Sequence, residues 1–144
     1  MSYQEVGDLI SKLVESAVKE LVRKENTPSV KEVGSEEEFT QLISGNKFVV
    51  VCFYKSECPA CKSYIPTFEA VSKEFKNSAV FVKVHTKDLR SLSKKYNVVA
   101  IPTTVVFMDG NEVSRYEGSM NKVKLVTFLI VSGVKMITGN SVDE

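Results

Sequence analysis

The chain alternates between stretches with a helical spacing of apolar residues and stretches of consecutive apolar residues. Over residues 4–24 the apolar side chains recur every three or four positions with charged side chains between them, which predicts an amphipathic helix. Asn26, Thr27 and Pro28 are expected to end it. The apolar stripe must be covered, and two interpretations stay open: the helix packs on its own domain, or it contacts a second copy or another partner.

The segment after the first helix predicts a strand, a helix and a second strand. Val30 and Val33 lie among polar residues, which predicts a short edge strand. Ser35 followed by Glu38 is a capping box, which opens a helix that runs to about Ser44. Residues 47–54 (KFVVVCFY) form a continuous apolar, β-branched run, which is typical of a strand buried on both faces.

The remaining pattern continues the alternation of helices and strands. It predicts a helix of about four turns with Pro66 inside it, a strand at 79–86, a short helix at 88–97, a hairpin at 103–118 that turns at Asp109-Gly110, and a closing helix at 121–137. The resulting order, α-β-α-β-α-β-α-β-β-α, predicts an α/β fold with a mixed sheet and helices on both faces. A chain of 144 residues suits one such domain.

Composition narrows the classes of partner. The chain has 19 basic and 18 acidic residues and a net charge of +1, which does not favour nucleic acid or an anionic membrane surface. No apolar run approaches the roughly 20 residues that cross a bilayer. The N-terminus carries acidic residues early and lacks the pattern of a secretory signal, so we expect a cytoplasmic protein.

Three cysteines carry the candidate chemistry. Cys52 lies in the second predicted strand, and Cys58 and Cys61 follow it directly in the sequence Cys-Pro-Ala-Cys. The pair could be a redox couple, half of a metal site, or two structural thiols. A zinc site would have only these three cysteines and His85 as ligands, without a second chelating pair, so we expect no metal. We also expect no flavin, nicotinamide or other cofactor.

The position of the pair favours the redox interpretation. Cys58 is expected at the first turn of a helix, where unpaired backbone N–H groups and the helix dipole favour a thiolate. Cys61 lies one turn further in, on the same side, and should be the more buried thiol. These positions predict that Cys58 attacks a substrate disulfide and that Cys61 resolves the mixed disulfide.

From about residue 30 to 138 the chain resembles a thioredoxin, on the segments KFVVVCFYKSECPACKSYIPTFE, VFVKVHT and KKYNVVAIPTTVVFMDGNEVSRYEG. The resemblance implies a thioredoxin-like three-layer sandwich over residues 29–139, preceded by a helical extension (1–28) and followed by a flexible tail (140–144). It implies a protein disulfide reductase that takes electrons from a thioredoxin reductase and serves cell redox homeostasis. The extension lies outside the resemblance, and a homodimer through it stays open.

The resemblance also implies residues around the dithiol. Pro102 would form a cis peptide bond beside the two thiols, and the backbone of Ile101 would pair with an extended substrate. Thr103, which starts the next strand, would also bind the substrate, and Gly118 would let a protein substrate approach. Tyr54 would bind the substrate as an aromatic platform under the active site.

Two departures from the family pattern concern the chemistry of the dithiol. Glu57 replaces a tryptophan, and Pro59-Ala60 replaces the usual Gly-Pro, which leaves the position on the reductant-to-oxidant scale open. Cys52 stands where the family has a buried aspartate that accepts the proton of the resolving thiol. Lys83 matches the lysine that pairs with that aspartate. We hypothesise that Cys61 loses its proton through water or to Lys83 as a neutral amine.

Other interpretations remain at this stage. His85 lies on the same strand face as Lys83 and either titrates near the dithiol or has no catalytic part. The same fold could act as a disulfide oxidase or isomerase, or as a glutaredoxin-like protein. The chain could also be a non-enzymatic redox-sensing interaction module, with the N-terminal helix as its docking element.

Overall fold

The computed structural model of the chain describes residues 9–15 and 29–136. The other parts of the predicted N-terminal helix and the predicted tail lie outside the described residues. The elements follow the predicted order and have these bounds: α1 (9–15), β1 (Val30–Glu32), α2 (Glu36–Gly45), β2 (Phe48–Tyr54), α3 (Pro59–Glu74), β3 (Val80–His85), α4 (Arg90–Lys95), β4 (Thr103–Met108), β5 (Asn111–Glu117) and α5 (Lys122–Val131).

The five strands form one mixed sheet in the order β1-β3-β2-β4-β5. The pairs β1–β3 and β2–β3 are parallel, whereas β2–β4 and β4–β5 are antiparallel. The predicted edge strand, β1, lies at one edge. The sheet therefore confirms the predicted α/β architecture, in which parallel strands joined through helices are followed by a hairpin.

Helices cover both faces of the sheet, because β2 is apolar on both of its faces. Alternate residues of β2 from Val50 pack with α3 and α5, and those from Val49 pack with α2 and α4. This arrangement is the three-layer sandwich that the resemblance implies. It places Cys52 and Tyr54 in the same cluster as Cys61, on the α3 side.

Local signals set the ends of most elements. Glu38 N donates to Ser35 Oγ at 3.1 Å, and Glu38 Oε1 accepts from Gly34 N at 2.8 Å, so the predicted capping residues do begin α2. The turn of the hairpin has positive φ at Asp109 (51°) and Gly110 (85°), as a type I′ turn requires.

The closing helix is shorter than the sequence pattern predicts. It ends at Val131 rather than at residue 137, so the predicted C-terminal bound is wrong. Gly133 has φ 105° and its N–H donates to Ile130 O, while Val134 N donates to Leu129 O. These two hydrogen bonds form a Schellman motif, which stops a helix even where the apolar spacing continues.

The apolar stripe of α1 is exposed within the described part of the chain. The exposed fractions are 52% for Leu9, 54% for Ile10, 63% for Leu13 and 55% for Val14. For these four side chains, the interpretation that the helix packs on its own domain is therefore wrong. Every helix in residues 9–15 and 29–136 is too short or too polar to span a bilayer.

Candidate active site

The Cys-Pro-Ala-Cys segment lies where β2 gives way to α3. Cys58 is the N-cap of α3, with Pro59 directly after it at the start of the helix. Proline suits this position because its fixed φ is helical and its missing N–H needs no partner there. The backbone N–H of Cys61 donates to Cys58 Sγ at 3.2 Å, so the sulfur takes the capping role that a serine or aspartate oxygen usually has.

The two thiols differ in access to solvent. All three cysteines are free thiols; Cys58 is partly exposed, whereas Cys61 has an exposed fraction of 0%. Burial raises the pKa of the Cys61 thiol to about 11, and its hydrogen bond with Cys58 adds to the rise. The structure thus pairs one accessible sulfur with one sheltered thiol that is protonated at neutral pH.

A second backbone segment meets the dithiol beside Cys58. The Ile101–Pro102 peptide bond is cis, as the resemblance implies, and Ile101 O lies 4.0 Å from Cys58 Sγ. Gly118 N donates to Pro102 O at 2.7 Å, and Gly118 has φ 106°. That backbone conformation, which side chains rarely allow, requires glycine at this position. Ile101 therefore lies beside Cys58, and Gly118 holds the cis-proline that follows it.

Two predicted substrate contacts are buried instead. Thr103 has an exposed fraction of 0%, and its hydroxyl donates to Ala100 O at 2.6 Å. Tyr54 is 9% exposed and lies under the site. Neither side chain offers a surface to a protein substrate, because each is covered by neighbouring elements. Pro59 and Ala60, in contrast, are exposed.

Cys52 lies in the middle of the sheet, between Lys83 on β3 and Thr104 on β4. Its exposed fraction is 0%, and burial raises the pKa of its thiol far above the ordinary value. A thiol in this position is a poor proton acceptor at neutral pH and is shielded from disulfide exchange. These properties favour the role of an inert core residue.

Lys83 is held by two carboxylates and an aromatic ring. Its Nζ lies 3.8 Å from Glu32 Oε1, 3.9 Å from Glu69 Oε2 and 5.6 Å from the ring centroid of Tyr54. These contacts hold the Lys83 side chain on the α3 side of the sheet, and the hypothesis that it accepts the proton of Cys61 stays a prediction. Sequence reasoning missed both carboxylates, since only strand pairing and the packing of α3 bring them to Lys83.

His85 anchors the loop that leads to the dithiol. Its Nε2 accepts a hydrogen bond from Ser56 N at 3.2 Å and lies 2.9 Å from Ser56 Oγ. Its Nδ1 lies 3.7 Å from Asp88 Oδ2, and its ring packs edge-on against Tyr54 at a centroid distance of 5.1 Å. The histidine thus has a structural contact to the active-site loop, two residues before Cys58, that the sequence alone did not indicate.

We expect the resolving step to accelerate about tenfold per pH unit between pH 7 and 9, because the reactive form is the thiolate of Cys61. In a mixed disulfide Cys58 no longer carries a thiol, so its hydrogen bond no longer raises the pKa of Cys61. Burial, the larger cause of the raised pKa of Cys61, remains. After reaction with an aromatic disulfide reagent, the second release of chromophore measures this step. Cys61→Ser should lack that phase, and a rate independent of pH would contradict the assignment.

Comparison with known proteins agrees with this geometry. The family model Thioredoxin matches residues 30–130. A thioredoxin of Mycoplasma genitalium is 36% identical over 97 residues, which cover 67% of this chain and 94% of that protein. The protein disulfide isomerase-like 1-3 of Arabidopsis thaliana is 33% identical over 95 residues, which cover 66% of this chain and 16% of that protein.

Solved structures agree as well. The thioredoxin of Plasmodium falciparum superimposes with a TM-score of 0.67 and 32% identity, covering 71% of this chain and 98% of that one. A dithiol at a helix N-terminus beside a cis-proline, on this sheet, defines a thiol–disulfide oxidoreductase in the general sense. The chain belongs to the thioredoxin family. Within the described residues, no group of three or more His, Cys, Asp or Glu side chains is placed to hold a metal ion.

Proposed function

We propose that this protein reduces disulfide bonds in other proteins. The Cys58 thiolate attacks one sulfur of the substrate disulfide, forms a mixed disulfide and releases the other sulfur as a thiolate. The Cys61 thiolate then attacks the Cys58 sulfur, which closes the Cys58–Cys61 disulfide and releases the second substrate thiolate. The substrate gains two electrons and the protein loses two. A cytoplasmic thioredoxin reductase would return them.

The observation that carries this proposal is the unequal access to the two sulfurs. Cys58 is partly exposed at the N-cap of α3, while Cys61 is buried and donates its N–H to Cys58 Sγ. An incoming disulfide therefore meets Cys58 first. Cys61 lies one helical turn away, where it can displace whatever Cys58 has bound.

The substrate would lie along Ile101 and Gly118. Ile101 is the residue before the cis-proline, and its carbonyl already lies beside Cys58 Sγ. Its backbone can pair with an extended segment of the substrate, as in strand addition. No substrate contact is proposed for three residues that lie beneath this surface. These residues support the site by packing and charge: Tyr54, Thr103 and Lys83.

Trapping of the mixed disulfide tests the proposal. Cys61→Ser removes the resolving thiol, so a substrate captured by Cys58 should stay attached through a disulfide. Mass spectrometry of the purified adduct, before and after dithiothreitol, identifies the bond. The matched variant Cys58→Ser should capture no substrate. If both variants or neither trap substrate, the assigned roles are wrong; if the wild type also reduces no disulfide, a non-enzymatic module is favoured.

A second candidate within the same chemistry is disulfide oxidation or isomerisation. The observation that favours it is the Pro59-Ala60 dipeptide between the cysteines, together with 33% identity to a protein disulfide isomerase-like protein. Equilibration with glutathione buffers measures the reduction potential. A value near the roughly −270 mV of thioredoxin supports a reductase, and one near −180 mV supports an oxidase or isomerase.

We also propose that the exposed apolar stripe of α1 pairs with a second copy of the chain. Four large apolar side chains within residues 9–15 are more than half exposed, and burying them against a copy removes that area from water. The full chain is expected to elute as a dimer in size-exclusion chromatography with light scattering, and a chain lacking residues 1–26 as a monomer. The same number of chains per particle for both proteins would contradict the proposal.

A further inference from the structure

A groove lined by several cationic side chains includes Ile101, the residue before the cis-proline. It encloses about 340 Å³ and runs from the active-site loop to α4 and the loop before the cis-proline. Four cationic side chains and two apolar ones define what we call the basic groove: Lys55, Lys87, Arg90, Lys94, Val99 and Ile101. Because Ile101 O lies 4.0 Å from Cys58 Sγ, a chain lying in this groove reaches the reactive sulfur.

We propose that the basic groove binds an acidic segment of the protein substrate, next to the disulfide that is reduced. This inference rests on the proposed function and names a class of substrate for the same site. The dithiol and the cis-proline form the reactive site. The inference concerns the residues of the basic groove, which lie outside that pair of features.

The cations of the basic groove have no acidic partner in the part of the chain that the structure describes. Lys31, Lys83, Arg115 and Lys122 each form an ion pair with a glutamate, whereas none of the four groove cations does so among the described residues. Asp88 follows Lys87 but faces His85. The net charge of the chain is only +1, so this surplus is local.

The arrangement on α4 is costly for the helix on its own. Arg90 and Lys94 are four residues apart and line the same groove, and like charges at this spacing destabilise a helix. A carboxylate placed between them would relieve the repulsion. An anionic ligand in this groove therefore gains attraction to the cations and also relieves the repulsion between Arg90 and Lys94. Isolated surface lysines provide only the attraction.

The shape and lining favour an extended peptide over a small anion. Val99 is 81% exposed and Ile101 is partly exposed, so apolar surface lies beside the cations. A small anion would contact one or two exposed side chains and leave that apolar surface in water. A peptide can place carboxylates on the cations while its own backbone lies against Ile101.

The first test compares two cystine-loop peptides of equal length, with three glutamates or three serines on each side of the loop. We expect the second-order rate constant for reduction to be about tenfold higher for the acidic peptide at low salt. The ratio should fall to about two in 0.5 M salt, because screening shortens the reach of charges. Equal rates for both peptides at low salt would overturn the inference and leave the proposed function intact.

Charge-reversal variants test whether the basic groove causes the faster reduction of the acidic peptide. Lys87→Glu, Arg90→Glu and Lys94→Glu together should bring the ratio of acidic to neutral rates below one. The matched control reverses Lys73, Lys76 and Lys135, which are exposed and do not line the basic groove, with the same change in net charge. The ratio is taken within one variant, so a general loss of activity cancels.

Each further outcome is decisive. If the ratio of acidic to neutral rates stays high in the control variant and falls in the groove variant, the basic groove binds the acidic segment. If the ratio falls equally in both variants, the preference comes from net charge, and the inference is overturned. Wild type that reduces neither peptide, while folded by circular dichroism, refutes the proposed function, and the inference falls with it.

Discussion

Replacing Cys58 with serine is expected to lower the protein-catalysed rate of insulin-disulfide reduction by at least about 10³-fold. The observed rate should then equal that of dithiothreitol alone. The serine hydroxyl is a far weaker nucleophile at neutral pH than a thiolate. Neither of the other cysteines can take over, because Cys52 and Cys61 have exposed fractions of 0%. Turbidity of the released insulin chains, with dithiothreitol as the electron source, measures the rate.

Cys52→Ala is the matched control, since it also removes one thiol. This variant should keep most of the activity, because the Cys52 thiol is enclosed between neighbouring strands and its raised pKa keeps it protonated. Full activity of Cys58→Ser would end the enzymatic interpretation. A loss in Cys52→Ala as large as that in Cys58→Ser, in a folded protein, would show that Cys52 takes part in the exchange.

Phe68→Ala is expected to lower the free energy of unfolding by about 3–5 kcal/mol, which is a large part of the stability of a domain this size. Phe68 has an exposed fraction of 0% and lies on α3, the helix that begins with the dithiol. Its ring packs against Tyr64 at a centroid distance of 5.9 Å and against Phe81 at 5.5 Å. Removal of the ring leaves a cavity and unmakes both aromatic contacts.

Urea unfolding followed by circular dichroism measures the change as a lower midpoint with an unchanged slope. Phe68→Leu is the control, because it keeps most of the apolar volume and should cost less than half as much. Equal losses in the two variants would point to a requirement for the aromatic ring itself. A loss below about 1 kcal/mol in Phe68→Ala would contradict the packing described for α3.

Local sequence signals predicted most of the fold because they act over a few residues. The continuous apolar run at 47–54 predicted a strand buried on both faces, and the capping residues Ser35 and Glu38 predicted the start of α2. The end of α5 was predicted wrongly, because the apolar spacing runs past Gly133 while the backbone there turns to positive φ. Spacing reports which face of a helix is apolar, and it does not report where the hydrogen bonds stop.

The dithiol and the cis-proline were also predicted, the first from residue spacing and the second from family resemblance. Burial of Thr103 and the contacts of His85 were not. A side chain's partners depend on which strands become neighbours, and that order is set by the packing of the whole domain. The same reason explains why Glu32 and Glu69, far apart in the chain, were not recognised as the partners of Lys83.

The sequence by itself determined the order of helices and strands, the pair of thiols and their position at the start of a helix, because each depends on neighbours along the chain. Only the tertiary structure decided which carboxylates hold Lys83, that His85 contacts the active-site loop, and that four cations line one groove together with Ile101. Burial and charge density depend on distances through space. The folded sheet sets those distances between residues that the chain keeps apart.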